Sequence, residues 1–114
     1  MQRLAFKMKL KPGCEAEYEK RHARLWPEMK LLLKEGGIGN YSIFYDPDTL
    51  SLFAYQEIGG EGSSQEMGGE AVVRKWWDYM SDIMEVNADN SPVSVPLRQV
   101  FFLEEPPHRH PIQI

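Results

Sequence analysis

The 114-residue sequence contains a single cysteine, Cys14, so no disulfide can form within the chain. Small domains that fold without disulfides are typical of reducing compartments. The first eleven residues alternate basic and apolar side chains, and they lack the continuous apolar core of a signal peptide. We therefore expect a cytoplasmic protein.

Long apolar runs and an excess of positive charge are also missing. No apolar segment approaches the roughly 20 residues that a membrane-spanning helix needs. The formal net charge is −4, and an acidic chain is poorly suited to neutralise the phosphates of a nucleic acid. We expect neither a membrane nor a nucleic acid as a partner.

What the sequence does contain is the composition of a globular protein, with 42% hydrophobic and 26% charged residues. This length fits one domain, which we expect to span residues 1–104. Residues 105–114 contain three prolines. We expect them to form a C-terminal tail that is either disordered or lies as an arm on a neighbouring copy.

Two hydrophobic periods alternate along the chain. An alternation of apolar and polar residues predicts a half-buried strand at Arg3–Lys11. Strands are also predicted at Gly39–Asp46, Ser51–Ile58 and Leu97–Leu103. A period of 3.6 predicts amphipathic helices at Glu15–Glu35 and Glu70–Met84. Because proline lacks an N–H, the first helix must either kink before Pro27 or restart with Pro27 in its first turn.

Two connections are predicted from composition. The segment Gly59–Gly69 is rich in Gly and Ser and predicts a mobile loop, and Asn87–Pro96 is polar and punctuated by proline. The resulting order is strand, helix, strand, strand, helix, strand. This order predicts a ferredoxin-like α+β fold, in which two helices cover one face of an antiparallel sheet.

The other face of the predicted sheet needs a cover as well. Phe53 and Tyr55 lie opposite Leu52 and Ala54 along the third strand, and the fourth strand is also apolar on both sides. A second copy of the sheet is the simplest cover. We therefore expect a homodimer that packs sheet against sheet, the dimeric α/β-barrel arrangement.

His22 is the first candidate for chemistry. It follows Tyr18 by four residues, so both side chains lie on one helix face, and that face is the apolar one. Two interpretations stay open from the pattern alone. His22 is either a neutral core histidine bonded to backbone carbonyls, or it lines a cavity beneath the helix as a general acid or base. The second role suits histidine, because its ordinary pKa is about 6.5.

Aromatic residues elsewhere allow the same two interpretations. Trp76 and Trp77 are either core residues or walls against which the C–H face of a sugar packs. Tyr41 either points under the helices or is an ordinary cross-strand aromatic. His108 and His110 stand in the tail without an acidic or cysteine partner at ligand spacing, so we expect no metal site there.

Four separated segments resemble the L-rhamnose mutarotase family in order and spacing, over about residues 2 to 103. They read YEKRH at Tyr18–His22 with WPE at Trp26–Glu28, GNYSI at Gly39–Ile43, WWDYM at Trp76–Met80 with DIM at Asp82–Met84, and DNSPVS at Asp89–Ser94. The resemblance implies a dimeric ferredoxin-like fold and an isomerase that interconverts the α and β anomers of L-rhamnose. It implies no metal or organic cofactor.

The resemblance also implies roles for single residues. His22 matches the position of the proton donor, and Tyr18, Tyr41, Trp76 and Trp77 match the sugar-binding positions. We expect protonated His22 to donate toward the ring oxygen, while a tyrosine hydroxyl or a water moves the second proton. Two other functions stay open: a cofactor-independent monooxygenase or haem-degrading enzyme of the same dimeric fold, and a non-catalytic sugar-binding module.

Overall fold

A computed structural model describes residues 2–60, 63–64 and 67–104. The helices and strands of these residues follow in the order β1 (Gln2–Lys9), α1 (Glu15–Ala23), α2 (Pro27–Glu35), β2 (Ile38–Asp46), β3 (Ser51–Ile58), α3 (Ala71–Met80) and β4 (Val95–Leu97). The predicted tail, 105–114, lies outside the described residues, as do four positions of the predicted Gly- and Ser-rich loop.

The four strands form one antiparallel sheet in the order β2-β3-β1-β4. This is the ferredoxin-like order, which confirms the predicted fold class. Alternation along the strands gives the sheet an inner face toward the helices, where Phe6, Met8, Leu52 and Ala54 are buried. Full burial of one such large apolar side chain stabilises the fold by about 1.5–3 kcal/mol.

The first predicted helix is two helices, because Pro27 restarts it. Proline fixes its own φ and lacks an N–H, so it is well placed in a first helical turn. Trp26, before it, takes the extended conformation with ψ 135° that a residue preceding proline favours. The break leaves α1, which carries His22, separate from α2. No helix of the described part of the chain is long and apolar enough to cross a membrane.

The predicted fourth strand, Leu97–Leu103, is wrong in its extent. β4 covers only Val95–Leu97 and pairs with Ala5 to Lys7 of β1. A strand needs a neighbour for its backbone groups, and residues 98–103 form no backbone pairing with the described strands. Their apolar side chains consequently remain exposed, with Val100 at 80% and Phe101 at 77%. The predicted connection up to Pro96 is shortened accordingly.

Arg21 joins α1 to the end of α3, which stops at Met80 rather than at the predicted Met84. Its Nη1 donates to the carbonyl of Tyr79 at 2.7 Å and to Asp82 Oδ1 at 2.9 Å, and its Nε donates to Glu17 Oε2 at 2.8 Å. Charge-assisted hydrogen bonds of this kind are stronger than hydrogen bonds between neutral groups. They hold the two helices at a fixed separation above the sheet.

Gly37 fixes where the Gly- and Ser-rich segment begins. Its φ of +80° lies in the left-handed region, and a Cβ there would lie 2.6 Å from the backbone nitrogen of Gly60. The Gly59 N–H donates to the Gly37 carbonyl at 2.7 Å. Only glycine allows this close approach, which ties the segment after β3 to the end of α2.

Candidate active site

A cavity of about 660 Å³ lies between the inner face of the sheet and the helices. All five residues that the sequence singled out line its walls: Tyr18 and His22 from α1, Tyr41 from β2, and Trp76 and Trp77 from α3. The structure therefore places all five at one cavity, and it buries Tyr18, Trp76 and Trp77 in the hydrophobic core as well. The fold brings them together from three elements.

His22 is half-buried in this cavity, and its two ring nitrogens have different surroundings. Nδ1 lies 3.1 Å from the backbone carbonyl oxygen of Tyr18. Because a carbonyl only accepts, Nδ1 carries the hydrogen, and Nε2 is the nitrogen left for a ligand. Burial lowers the pKa of His22 below its ordinary value, although the bond to the Tyr18 carbonyl partly opposes this. His22 is thus neutral at neutral pH, with its lone pair on Nε2.

Aromatic rings hold the imidazole on two sides. The Tyr18 ring stacks on it, with a centroid separation of 4.2 Å. Trp76 meets it edge-on at 5.4 Å and an interplanar angle of 87°. Trp26 packs in turn against Trp76 at 5.1 Å, so the ring orientation of His22 is determined by packing as well as by its hydrogen bond.

The two adjacent tryptophans have different neighbours. Trp76 belongs to the aromatic cluster around His22. The far edge of Trp77 lies beneath Gly68, where a Cβ would come within 3.1 Å of the indole ring. Trp76 therefore packs at the histidine, and Trp77 at the segment after β3, a distinction that the sequence alone did not make.

Tyr41 is one of two tyrosines that line the cavity from β2, the other being Tyr45. The Tyr41 hydroxyl accepts a hydrogen bond of 3.4 Å from Ser64 Oγ. Burial raises the pKa of Tyr41, and burial together with the nearby Tyr41 raises the pKa of Tyr18. Both phenols are therefore neutral at physiological pH and can give as well as accept hydrogen bonds.

Sequence reasoning missed Gln56 and Ser64. The side chain of Gln56 is fully buried at 0% exposure and bonds to Ser64, which in turn bonds to Tyr41. A signal was present, since Gln56 occupies an inward position of β3 between Ala54 and Ile58. A polar group at such a position requires a hydrogen-bond partner.

Methionine is the other feature that the sequence reasoning did not use. Five of the six methionines of the chain line the cavity: Met8, Met29, Met67, Met80 and Met84. Thioether side chains are adaptable and fit irregular apolar ligands. The described lining residues include no lysine or arginine, so a phosphorylated ligand would find no basic partner among them.

A half-buried histidine, aromatic and apolar walls and the carboxylates of Glu15 and Glu19 line one cavity, an arrangement that can bind a small molecule and move a proton on it. Comparison with known proteins identifies the protein family. The family model described as L-rhamnose mutarotase matches residues 3–103. The chain belongs to the L-rhamnose mutarotase family.

Individual relatives agree with this. L-rhamnose mutarotases of Bacteroides thetaiotaomicron and Phocaeicola vulgatus are each 62% identical over 104 residues, which are 91% of this chain and 100% of each relative. The crystal structure of L-rhamnose mutarotase FA22100 from Formosa agariphila superposes with a TM-score of 0.85 at 52% identity, covering 91% of this chain and 100% of that one. The predicted family and enzyme class, an isomerase acting on a carbohydrate, are confirmed.

Proposed function

We propose that this chain interconverts the α and β anomers of L-rhamnose and that His22 is its acid–base residue. The observation that carries the proposal is the state of the imidazole. Nδ1 is held by the Tyr18 carbonyl, burial keeps the ring neutral by lowering its pKa, and Nε2 remains for the reacting sugar. Family membership supports the substrate.

Mutarotation requires the anomeric hydroxyl to lose a proton and the ring oxygen to gain one. Both oxygens are bonded to C1, so one nitrogen placed beside C1 can reach both. Nε2 accepts the anomeric proton, the imidazolium returns it to the ring oxygen, and the C1–O5 bond breaks to leave an aldehyde. Rotation about C1–C2 and the reverse transfers close the ring on the other face. This proposal keeps His22 as the donor toward the ring oxygen, but it starts from the neutral ring and does not use the tyrosine hydroxyl or water that the sequence analysis expected for the second proton.

The cavity walls suit this sugar. Trp76 and Trp77 offer indole faces to its C–H surfaces, and the neutral hydroxyls of Tyr18 and Tyr41 offer hydrogen bonds to its hydroxyls. L-Rhamnose carries a methyl group at C6, and the methionine-rich part of the wall offers apolar contacts to it. We assign the four aromatic residues as sugar-binding on this basis.

Anomer-exchange NMR tests the proposed activity. We expect the protein to accelerate exchange between the anomers of L-rhamnose. We expect it to act more weakly, by about 100-fold at most, on L-mannose, which has a hydroxyl on C6 and challenges the apolar wall. Binding of L-rhamnose without faster exchange would indicate a sugar-binding module, and haem binding or oxygen consumption would indicate the monooxygenase-like alternative.

The pH dependence follows from the lowered pKa of His22. Because the neutral ring starts the cycle, activity should be constant at neutral pH and fall as the pH drops through a pKa below about 6.5. A histidine with a lowered pKa stays neutral down to a lower pH, so the loss of activity begins at a lower pH than it would for an ordinary histidine. The profile of kcat/KM between pH 5 and 8 reports this pKa in the free enzyme. A rate that falls on raising the pH would contradict the neutral start.

We also propose that two copies associate through the outer face of the sheet. Phe44, Phe53, Lys7 and Val95 form one row across the four strands, and three of these residues are apolar and exposed, with Phe44 at 67%. An isologous contact would pair this row with its symmetry mate. It would also cover apolar surface that a monomer leaves in water.

A charge in this row should dissociate the dimer. Phe44→Glu places a carboxylate on the outer face at a position that the single chain does not bury, so the fold should be retained. Light scattering during gel filtration should then give the mass of a monomer, against a dimer for the parent chain. The matched control is Leu31→Glu, which is 58% exposed on α2 and should leave the mass unchanged. A monomeric parent chain would refute the proposed dimer.

Two further assignments complete the proposal. Residues 1–104 act as one domain, since the four strands share one sheet and one core. The protein works in the cytoplasm, which the single cysteine supports.

A further inference from the structure

The buried amide of Gln56 ties the segment after β3 to the cavity. Its Nε2 donates to Ser64 Oγ at 3.0 Å, and its Oε1 accepts from the Ser64 backbone N–H at 2.9 Å. With both ends of the amide engaged, neither the backbone nor the side chain of Ser64 is free to turn. Two short bonds at a fully buried site hold one position of an otherwise Gly- and Ser-rich segment at the cavity wall.

The same contacts give the hydroxyls a direction. Ser64 Oγ accepts from Gln56 and donates to Tyr41 Oη at 3.4 Å. A phenol has one hydrogen to give, and Tyr41 Oη already accepts from Ser64. Among the described residues, Ser64 is the hydrogen-bonding neighbour of Tyr41 Oη, so the phenolic hydrogen is left for a group inside the cavity.

We propose that Gln56 and Ser64 are positioning residues that make Tyr41 a hydrogen-bond donor to a hydroxyl of the bound sugar. This inference rests on the proposed function for the identity of the ligand. The chain of donors runs Gln56 Nε2 to Ser64 Oγ to Tyr41 Oη to the sugar, and each bond polarises the next. Without Ser64, the Tyr41 hydroxyl rotates freely and its donor direction is lost.

A double-mutant cycle on sugar affinity tests the proposal. Ser64→Ala keeps the backbone bond to Gln56 and removes only the hydroxyl. We expect it to weaken the Kd for L-rhamnose, followed by tryptophan fluorescence, about fivefold, the value of one ordinary hydrogen bond. In a Tyr41→Phe background the same change should alter Kd less than about twofold, because the partner hydroxyl is absent.

Two other readouts separate positioning from a general structural effect. Ser64→Thr restores a hydroxyl and should restore Kd. In protein labelled with ¹³C at tyrosine Cζ, the Tyr41 resonance, identified by its loss in Tyr41→Phe, should shift in Ser64→Ala and return in Ser64→Thr.

Several results would overturn the proposal. An equal loss of affinity in both Tyr41 backgrounds would show that Ser64 acts independently of Tyr41, and an unmoved Cζ resonance would show that no hydrogen bond joins them. These outcomes do not depend on catalysis. A parent chain that binds L-rhamnose without accelerating anomer exchange instead overturns the proposed function, and the affinity cycle still decides the inference.

Discussion

Replacing His22 with alanine should abolish the catalysed exchange between L-rhamnose anomers, a loss of about 10²–10⁴-fold, which is the usual contribution of a positioned acid–base group. The change removes Nε2, the nitrogen that the Tyr18 contact leaves for the sugar. Anomer-exchange NMR at saturating L-rhamnose measures the result. The slow exchange that the sugar undergoes in water should remain.

The control for this experiment must separate chemistry from folding. His22→Gln fills more of the volume left by the ring, so it should keep the fold and also lose the activity. Lys20→Ala changes an exposed residue of the same helix and should retain the parent rate. Exchange at the parent rate in a folded His22 variant would remove His22 from the mechanism and return it to the role of a core histidine.

Trp76→Ala should produce the largest loss of stability, about 3–5 kcal/mol in the free energy of unfolding, as large-to-small changes in a core do. Trp76 is buried and contacts the rings of His22, Trp26 and Tyr79. A loss of this size is a large part of the roughly 5–15 kcal/mol that stabilises a small protein. Urea denaturation followed by circular dichroism measures the loss.

A neighbour in the same cluster provides the comparison. Tyr79 is 44% exposed, so Tyr79→Ala removes less buried surface and should cost about 1 kcal/mol. Trp76→Phe should keep much of the stability while it changes the edge contact with His22. The assignment of Trp76 as the central packing residue fails if the Trp76→Ala and Tyr79→Ala variants unfold at the same urea concentration.

The largest part of the secondary structure was predictable because it depends on local pattern. The predicted bounds of the third strand, Ser51–Ile58, match β3 residue for residue, and Pro27 starts a helix because its ring fixes φ at a helical value. The fourth strand was not predictable from pattern. The apolar run Val100–Leu103 is typical of a strand, yet residues 98–103 pair with no other strand in the described part of the chain.

The candidate site was predictable in part for the same reason. The helical period places Tyr18 and His22 on one face, and the family motifs add Tyr41, Trp76 and Trp77. The contacts that bring these residues together join positions far apart in the chain, as the ring contact between His22 and Trp76 shows. Such contacts depend on how the helices pack on the sheet, and the hydrophobic periodicity of a single segment does not predict that packing.

By itself, the sequence determined the order of the helices and strands, the family, and the five candidate site residues, which are one histidine and four aromatic residues. It could do so because periodicity, proline chemistry and motif spacing are properties of short segments. Tertiary structure alone decided three things. These are that the apolar face of α1 borders a cavity, that Nδ1 rather than Nε2 of His22 is held by the backbone, and that Gln56 and Ser64 reach Tyr41. Each depends on distances between separate elements, which packing sets.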